Sequence, residues 1–122
     1  MRREVTLPMA RLGEVEEGEF LRVMLPVPAW MPNGALVTSV LVGRVGGAIR
    51  AYANVCRHHP LALDQGATSA MADDRYHLVC QEHGAVYRPT DGLCIDGPCK
   101  GERLFPAGVE EHDGAVTLVL DG

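Results

Sequence analysis

Two short stretches decide the reading of this chain: Cys56-Arg57-His58 and, after 21 intervening residues, Cys80-Gln81-Glu82-His83. Each supplies one thiolate and one imidazole, a donor set that suits zinc or an iron–sulfur centre. Each also sits in a turn between strand-like segments. Ala48 to Val55 runs into Cys56, Tyr76 to Val79 runs into Cys80, and Ala85 to Arg88 resumes after a turn at Gly84. A single Zn²⁺ takes two Cys and two His, but its ligand pairs are usually spaced by two or more residues so that both can turn onto one metal. The one-residue gap between Cys56 and His58 aims its two side chains at different points. That favours a binuclear centre in which each stretch serves both metals, with the zinc site as the alternative.

Outward from these stretches the chain reads as short strands and turns. Phe20 to Leu25 alternates loosely, and Ala35 to Val45 is rich in Val and Leu. Gly46-Gly47 is a hairpin signal that returns the chain through Ala48 to Val55. Further turns fall at Asp91-Gly92, Gly97-Pro98 and Asp113-Gly114, and Ala115 to Leu120 closes the chain with high β-propensity. Residues 67–74 are small and polar and read as an exposed hairpin tip. Glu14 to Glu19 is an acidic, solvated turn. Pro26, Pro28 and Pro32, with Trp30 among them, read as a loop that cannot pair as a central strand. No segment makes an amphipathic helix. The expectation is an all-β fold, a small antiparallel sandwich or barrel.

The sequence has 122 residues, enough for one domain over 1–122. With 47% hydrophobic and 22% charged residues it is globular rather than disordered. A net charge of −5 argues against nucleic acid, which needs a basic face. No stretch approaches the roughly 18 apolar residues of a membrane span. Arg2-Arg3 is followed by Glu4 and by no apolar h-region, so no secretory signal is read and the expected compartment is the cytoplasm. In a reducing compartment the four cysteines and five histidines point to metal before disulfides.

Family resemblance enters on these residues. Cys56-Arg57-His58-His59-Pro60-Leu61-Ala62-Leu63-Asp64-Gln65-Gly66 resembles the first box of the Rieske proteins, and Cys80-Gln81-Glu82-His83-Gly84-Ala85-Val86-Tyr87 resembles the second. Thr90-Asp91-Gly92 and Gly97-Pro98 resemble the Gly turn and proline loop that cover the cluster. Ala51 to Val55 looks like the strand leading into the first box. The resemblance is specific over residues 48–110 and general outside them. It departs in a longer spacer between the boxes, in Pro60 where Gly is common, and in Gln81-Glu82 where a Pro-containing pair is usual. The resemblance implies a cluster-binding subdomain of two loops at about residues 54–100. It would hold one [2Fe–2S] cluster through Cys56 and Cys80 on one iron and His58 and His83 on the other.

Formal charge explains what such a ligand set does. Two ferric ions, two sulfides, two thiolates and two neutral imidazoles sum to zero, whereas an all-thiolate cluster carries −2. Reduction of a neutral centre is easier, so Rieske potentials reach from ~−150 to ~+300 mV. High-potential relatives carry a Ser where Ala85 stands and a Tyr where Tyr87 stands, and brace the boxes with a disulfide at the positions of Leu61 and Glu82. Without that Ser and that brace, the expected potential lies low in the range. Gly84, lacking a Cβ, can bring its N–H to a bridging sulfide. Pro98 belongs to the covering loop.

The resemblance implies a soluble one-electron carrier rather than an enzyme, passing electrons from a flavin-dependent reductase to a terminal oxygenase. A monomer is favoured. The alternative is a small redox subunit of a larger oxidoreductase. After His83 only His112 remains, so the two-His, one-carboxylate iron site of a Rieske oxygenase is not expected. Cys94 and Cys99 flank Ile95 to Pro98 and are expected as small buried hydrophobes rather than as a disulfide. His59, His77 and His112 read as solvated or structural. Trp30 reads equally as a docking anchor or a cap on the core.

Overall fold

The computed structural model describes residues 2–8, 20–31, 34–55, 78–79, 85–97 and 100–121. They form nine strands: β1 (Arg2–Pro8), β2 (Phe20–Trp30), β3 (Leu36–Val45), β4 (Ala48–Ala53), β5 (Leu78–Val79), β6 (Val86–Tyr87), β7 (Cys94–Asp96), β8 (Gly108–His112) and β9 (Ala115–Asp121). These make three antiparallel sheets, ordered β1-β9-β8, β2-β3-β4 and β5-β6-β7. The all-β expectation holds, and no described residue is helical.

The β2-β3-β4 sheet lies between two cores because successive side chains of a strand point to opposite faces. Val40 and Val42 of β3 join Val23, Ala51 and Ala53 against Leu7, Val116, Leu118 and Leu120 of the first sheet. Leu41, between them, points the other way and packs with Phe20, Tyr52, Leu78, Ala85, Tyr87, Cys94 and Leu104. A strand covered on both faces has no need of polar alternation, which is why β3 reads as an apolar run. Full burial of Val40, Leu41 and Val42 contributes roughly 1.5–3 kcal/mol each.

The hairpin read at Gly46-Gly47 and the turn read at Asp113-Gly114 both form. Gly46 and Gly47 have φ of 61° and 79° between Val45 and Ala48, which face each other across the ladder. Asp113 and Gly114 have φ of 40° and 81° between His112 and Ala115. Positive φ at both central residues is the tight turn that matches strand twist.

The proline-rich stretch is a correction. Residues 26–30 belong to β2, with Ala29 opposite Val37 and Trp30 opposite Leu36 after a register shift between Met24 and Ala29. β2 is an edge strand. A proline there forfeits no ladder bond, and the irregularity absorbs Pro26 and Pro28. β1, β7 and β8 are strands the sequence did not announce. The predicted strand at Tyr76 to Val79 is described only as Leu78–Val79, and the hairpin tip at 67–74 and the acidic turn at 14–19 lie outside the described residues.

Candidate metal centre

The first ligand stretch leaves the middle sheet at a pinned exit. β4 ends at Ala53, and the next two residues turn away instead of continuing the strand. Asn54 is buried, its N–H donates to the Ser39 carbonyl (3.0 Å), and its Nδ2 donates to Ser39 Oγ (3.0 Å). The Val55 N–H folds back to the Ala53 carbonyl (2.9 Å), a three-residue turn. A buried polar side chain must be hydrogen-bonded, so the Ser39–Asn54 pair fixes the direction in which the chain departs for Cys56.

The second ligand stretch spans a hairpin. Leu78 faces Tyr87 and Val79 faces Val86, so residues 80–85 connect two paired strands, β5 and β6. Leu78, Ala85 and Tyr87 are fully buried in the same cluster as Tyr52, four residues before Cys56. Tyr52, ahead of the first ligand stretch, and Leu78, Ala85 and Tyr87, on either side of the second, thus share one apolar cluster, while Val55, directly before Cys56, is buried in the other core. Cys56, His58, Cys80, His83, Gly84 and Pro98 themselves lie outside the described residues, as do His59, His77 and Cys99.

That cluster is tied together by groups the sequence reading missed. Tyr52 packs on Phe20 with ring centroids 6.3 Å apart, and its hydroxyl donates to the Pro89 carbonyl at 2.6 Å. Burial pushes the Tyr52 phenol above its usual pKa. Gly92 lies close against the ring, and its N–H donates to the Arg88 carbonyl at 2.7 Å. The stretch after β7 then runs back beside β4: Leu104 N–H donates to Gly92 O, Ala53 N–H to Phe105 O and Ala107 N–H to Ala51 O, at 2.8–2.9 Å. The one sequence signal for this staple was the turn dipeptide Asp91-Gly92.

Asp91 accepts from Arg88 Nε (3.0 Å) and from the Leu93 N–H (3.1 Å), with Arg103 Nη1 3.8 Å away. The Arg88 hydrogen bond is the main reason its carboxyl sits well below the usual range. A depressed carboxylate contributes stability that is complete above its unfolded pKa, ~3.9, and is lost as pH falls below it. Asp91→Asn keeps an acceptor for Leu93 and removes the charge. The urea midpoint of the wild type therefore exceeds that of the variant at pH 7, and the gap narrows steadily below about pH 4. The arginines are exposed, so the gap is small.

Cys94 is buried and its Sγ lies 3.2 Å from the Asp96 carbonyl, in keeping with its expected role as a small core residue. His112 is exposed and 3.6 Å from Glu110. Trp30 is 63% exposed and so does not cap the core. Among the described residues no other group of His, Cys, Asp and Glu is placed to hold a metal, and no helix is long and apolar enough to cross a membrane.

The family model of the Rieske [2Fe-2S] domain matches residues 6–113. The chain belongs to that family and, as such a domain, carries one [2Fe–2S] cluster. The fold agrees with solved structures. The terminal oxygenase of carbazole 1,9a-dioxygenase from Novosphingobium sp. KA1 superposes with a TM-score of 0.68 at 24% identity, over 98% of this chain and 30% of that one. A chain in the reduced complex between oxygenase and ferredoxin of carbazole 1,9a-dioxygenase gives 0.68 at 23%, over 98% and 29%. A chain in the complex of reduced oxygenase and oxidised ferredoxin of carbazole 1,9a-dioxygenase gives 0.62 at 22%, over 94% of this chain and 91% of that one. This chain thus spans less than a third of the first two matches and nearly the whole of the third. No curated protein sequence matches it.

The described residues fit the cluster. Tyr52, Leu78, Ala85 and Tyr87, which flank the two thiolate–imidazole stretches in sequence, share one buried cluster, and Gly97 packs against Ala85 in a space that a Cβ would fill. Two soft and two borderline donors are the set such a centre takes.

Proposed function

We propose that this protein is a soluble one-electron carrier, holding its cluster through Cys56 and Cys80 on one iron and His58 and His83 on the other. It accepts electrons from a flavin-dependent reductase and delivers them to a terminal oxygenase. The observation that carries the reading is the burial in one cluster of Tyr52, four residues before Cys56, with Leu78, Ala85 and Tyr87, which flank Cys80 and His83 in sequence. The similarity in length and fold to a chain of an oxygenase–ferredoxin complex supports the carrier role. The bound cluster supplies a one-electron couple. The chain's residues orient the ligands, exclude water from the base, and leave the imidazoles of the His-bound iron as the exit to a partner. The clustered cysteines and histidines suit a reducing compartment such as the cytoplasm. In a coupled assay the protein is expected to be reduced by a ferredoxin reductase with NADH and reoxidised by a Rieske oxygenase with its substrate. Failure of both half-reactions contradicts the carrier role.

A second reading is a redox subunit of a larger oxidoreductase, favoured by the match to less than a third of the oxygenase chains. It predicts copurification with a larger partner instead of exchange between two.

Ala85 is fully buried and brings no hydroxyl to the base, so the reduced cluster lacks that donor. Potentiometric titration is expected to give a value in the lower part of the ~−150 to ~+300 mV span of Rieske centres. A value well above zero contradicts this.

A further inference from the structure

We propose that Gly97 is a positioning residue for the cluster: its missing side chain sets how closely the Cys94–Gly101 loop presses on the backbone at Ala85. The inference rests on the ligand assignment above. Gly97 has φ of 100°, and a Cβ there lies 2.8 Å from Ala85 Cα, 3.2 Å from its Cβ and 3.4 Å from its N. A carbon cannot approach backbone to 2.8 Å, so one side must retreat. Neither is free to do so.

The loop is closed on itself. Cys94 N–H donates to Glu102 O (2.7 Å), Gly101 N–H to Cys94 O (3.0 Å) and Lys100 N–H to Gly97 O (3.2 Å), while Asp96 Oδ1 accepts the Gly97 N–H (2.9 Å). On the other side Ala85 is fully buried among Tyr52, Leu78 and Tyr87. Ala85 follows directly on residues 80–84, which hold two of the four proposed ligands. In this proposal a displacement at Ala85 carries to His83, two residues earlier in the sequence. Other glycines with positive φ make a different demand. Gly46, Gly47, Gly101 and Gly114 have nothing within 4 Å of an added Cβ, so only their backbone conformation calls for glycine.

Gly101 supplies the control, because its φ of 95° imposes similar backbone strain in the same loop without the contact. The test compares wild type, Gly97→Ala and Gly101→Ala as purified cluster-loaded proteins, by iron and sulfide content, EPR of the reduced state and potentiometry. At a fixed ambient potential Gly97→Ala is expected to change the reduced-to-oxidised ratio at least tenfold, about 59 mV for one electron, with altered EPR g values. Gly101→Ala is expected to change the ratio less than about twofold, about 18 mV by the same conversion. Equal, small shifts in both variants, with iron retained, overturn the inference and leave the cluster assignment standing. A wild type without iron and sulfide overturns both. Where Gly97→Ala does not fold, Asp96→Ala frees the Gly97 N–H without adding atoms, and Asp96→Asn removes the same charge while keeping an acceptor. A shift in Asp96→Ala beyond that in Asp96→Asn supports the positioning role, and identical potentials contradict it.

Discussion

Cys80→Ala is expected to lose its visible absorption, with iron falling from two per chain to background. Removing one thiolate leaves an iron with an open position and takes away one of the two anionic protein ligands. Neither the Tyr52–Leu78 base nor water supplies a replacement of equal softness. Because metal ligation and folding are coupled, the loss extends to stability. Structural metal sites are worth on the order of 10 kcal/mol in small domains, more than any single apolar contact in this base. The same outcome is expected for Cys56→Ala. His58→Ala and His83→Ala are expected to lose the cluster too, since under the proposed assignment each leaves the second iron with one protein ligand. Iron and acid-labile sulfide analysis beside the absorption spectrum reads the result. Wild-type iron in any of the four variants removes that residue from the ligand set.

Gly92→Ala is expected to destabilise the domain by about 2–5 kcal/mol. Two costs combine. Gly92 has φ of 76°, where an L-residue pays roughly 1–2 kcal/mol. Its added Cβ lies 2.9 Å from Tyr52 Cε1 and 3.3 Å from Leu104 Cβ, and overpacking of this kind costs ~1–3 kcal/mol. Tyr52 cannot swing aside cheaply, because its hydroxyl is held by the Pro89 carbonyl and its ring is buried against Phe20. Gly114→Ala has φ of 81° and open space, so it pays the first cost alone. Thermal unfolding followed by circular dichroism ranks the two. Equal losses contradict the packing role given to Gly92.

What the sequence disclosed follows from how local each feature is. Gly46-Gly47 and Asp113-Gly114 were legible because a two-residue hairpin demands positive φ of its own residues and of nothing else. β3 was legible as an apolar run, although the reason, burial on both faces, belongs to the tertiary structure. β7 and β8 were not legible. Cys94–Asp96 is three residues long, and Gly108–His112 is mostly polar, so each owes its extension to the neighbour it pairs with. Pro26 and Pro28 misled because the same residue that bars a central strand is tolerated at an edge.

The site divides in the same way. The thiolates and imidazoles announce themselves by type and spacing, and the family match agrees with the cluster they imply. Their support does not announce itself. Tyr52, Asn54 and Ser39 matter through partners 15 to 37 residues away, and Gly97 through a side chain it lacks; no local pattern encodes that. The ligand roles follow from donor chemistry and resemblance, both properties of the local sequence.

The central claim is a binuclear iron–sulfur centre in place of a single zinc. EPR of the dithionite-reduced protein, with metal analysis of the same sample, tests it most directly. The account predicts two irons and two sulfides per chain, silence in the oxidised state, and a signal from one unpaired electron on reduction. One zinc per chain, no colour and no signal in either state contradict it.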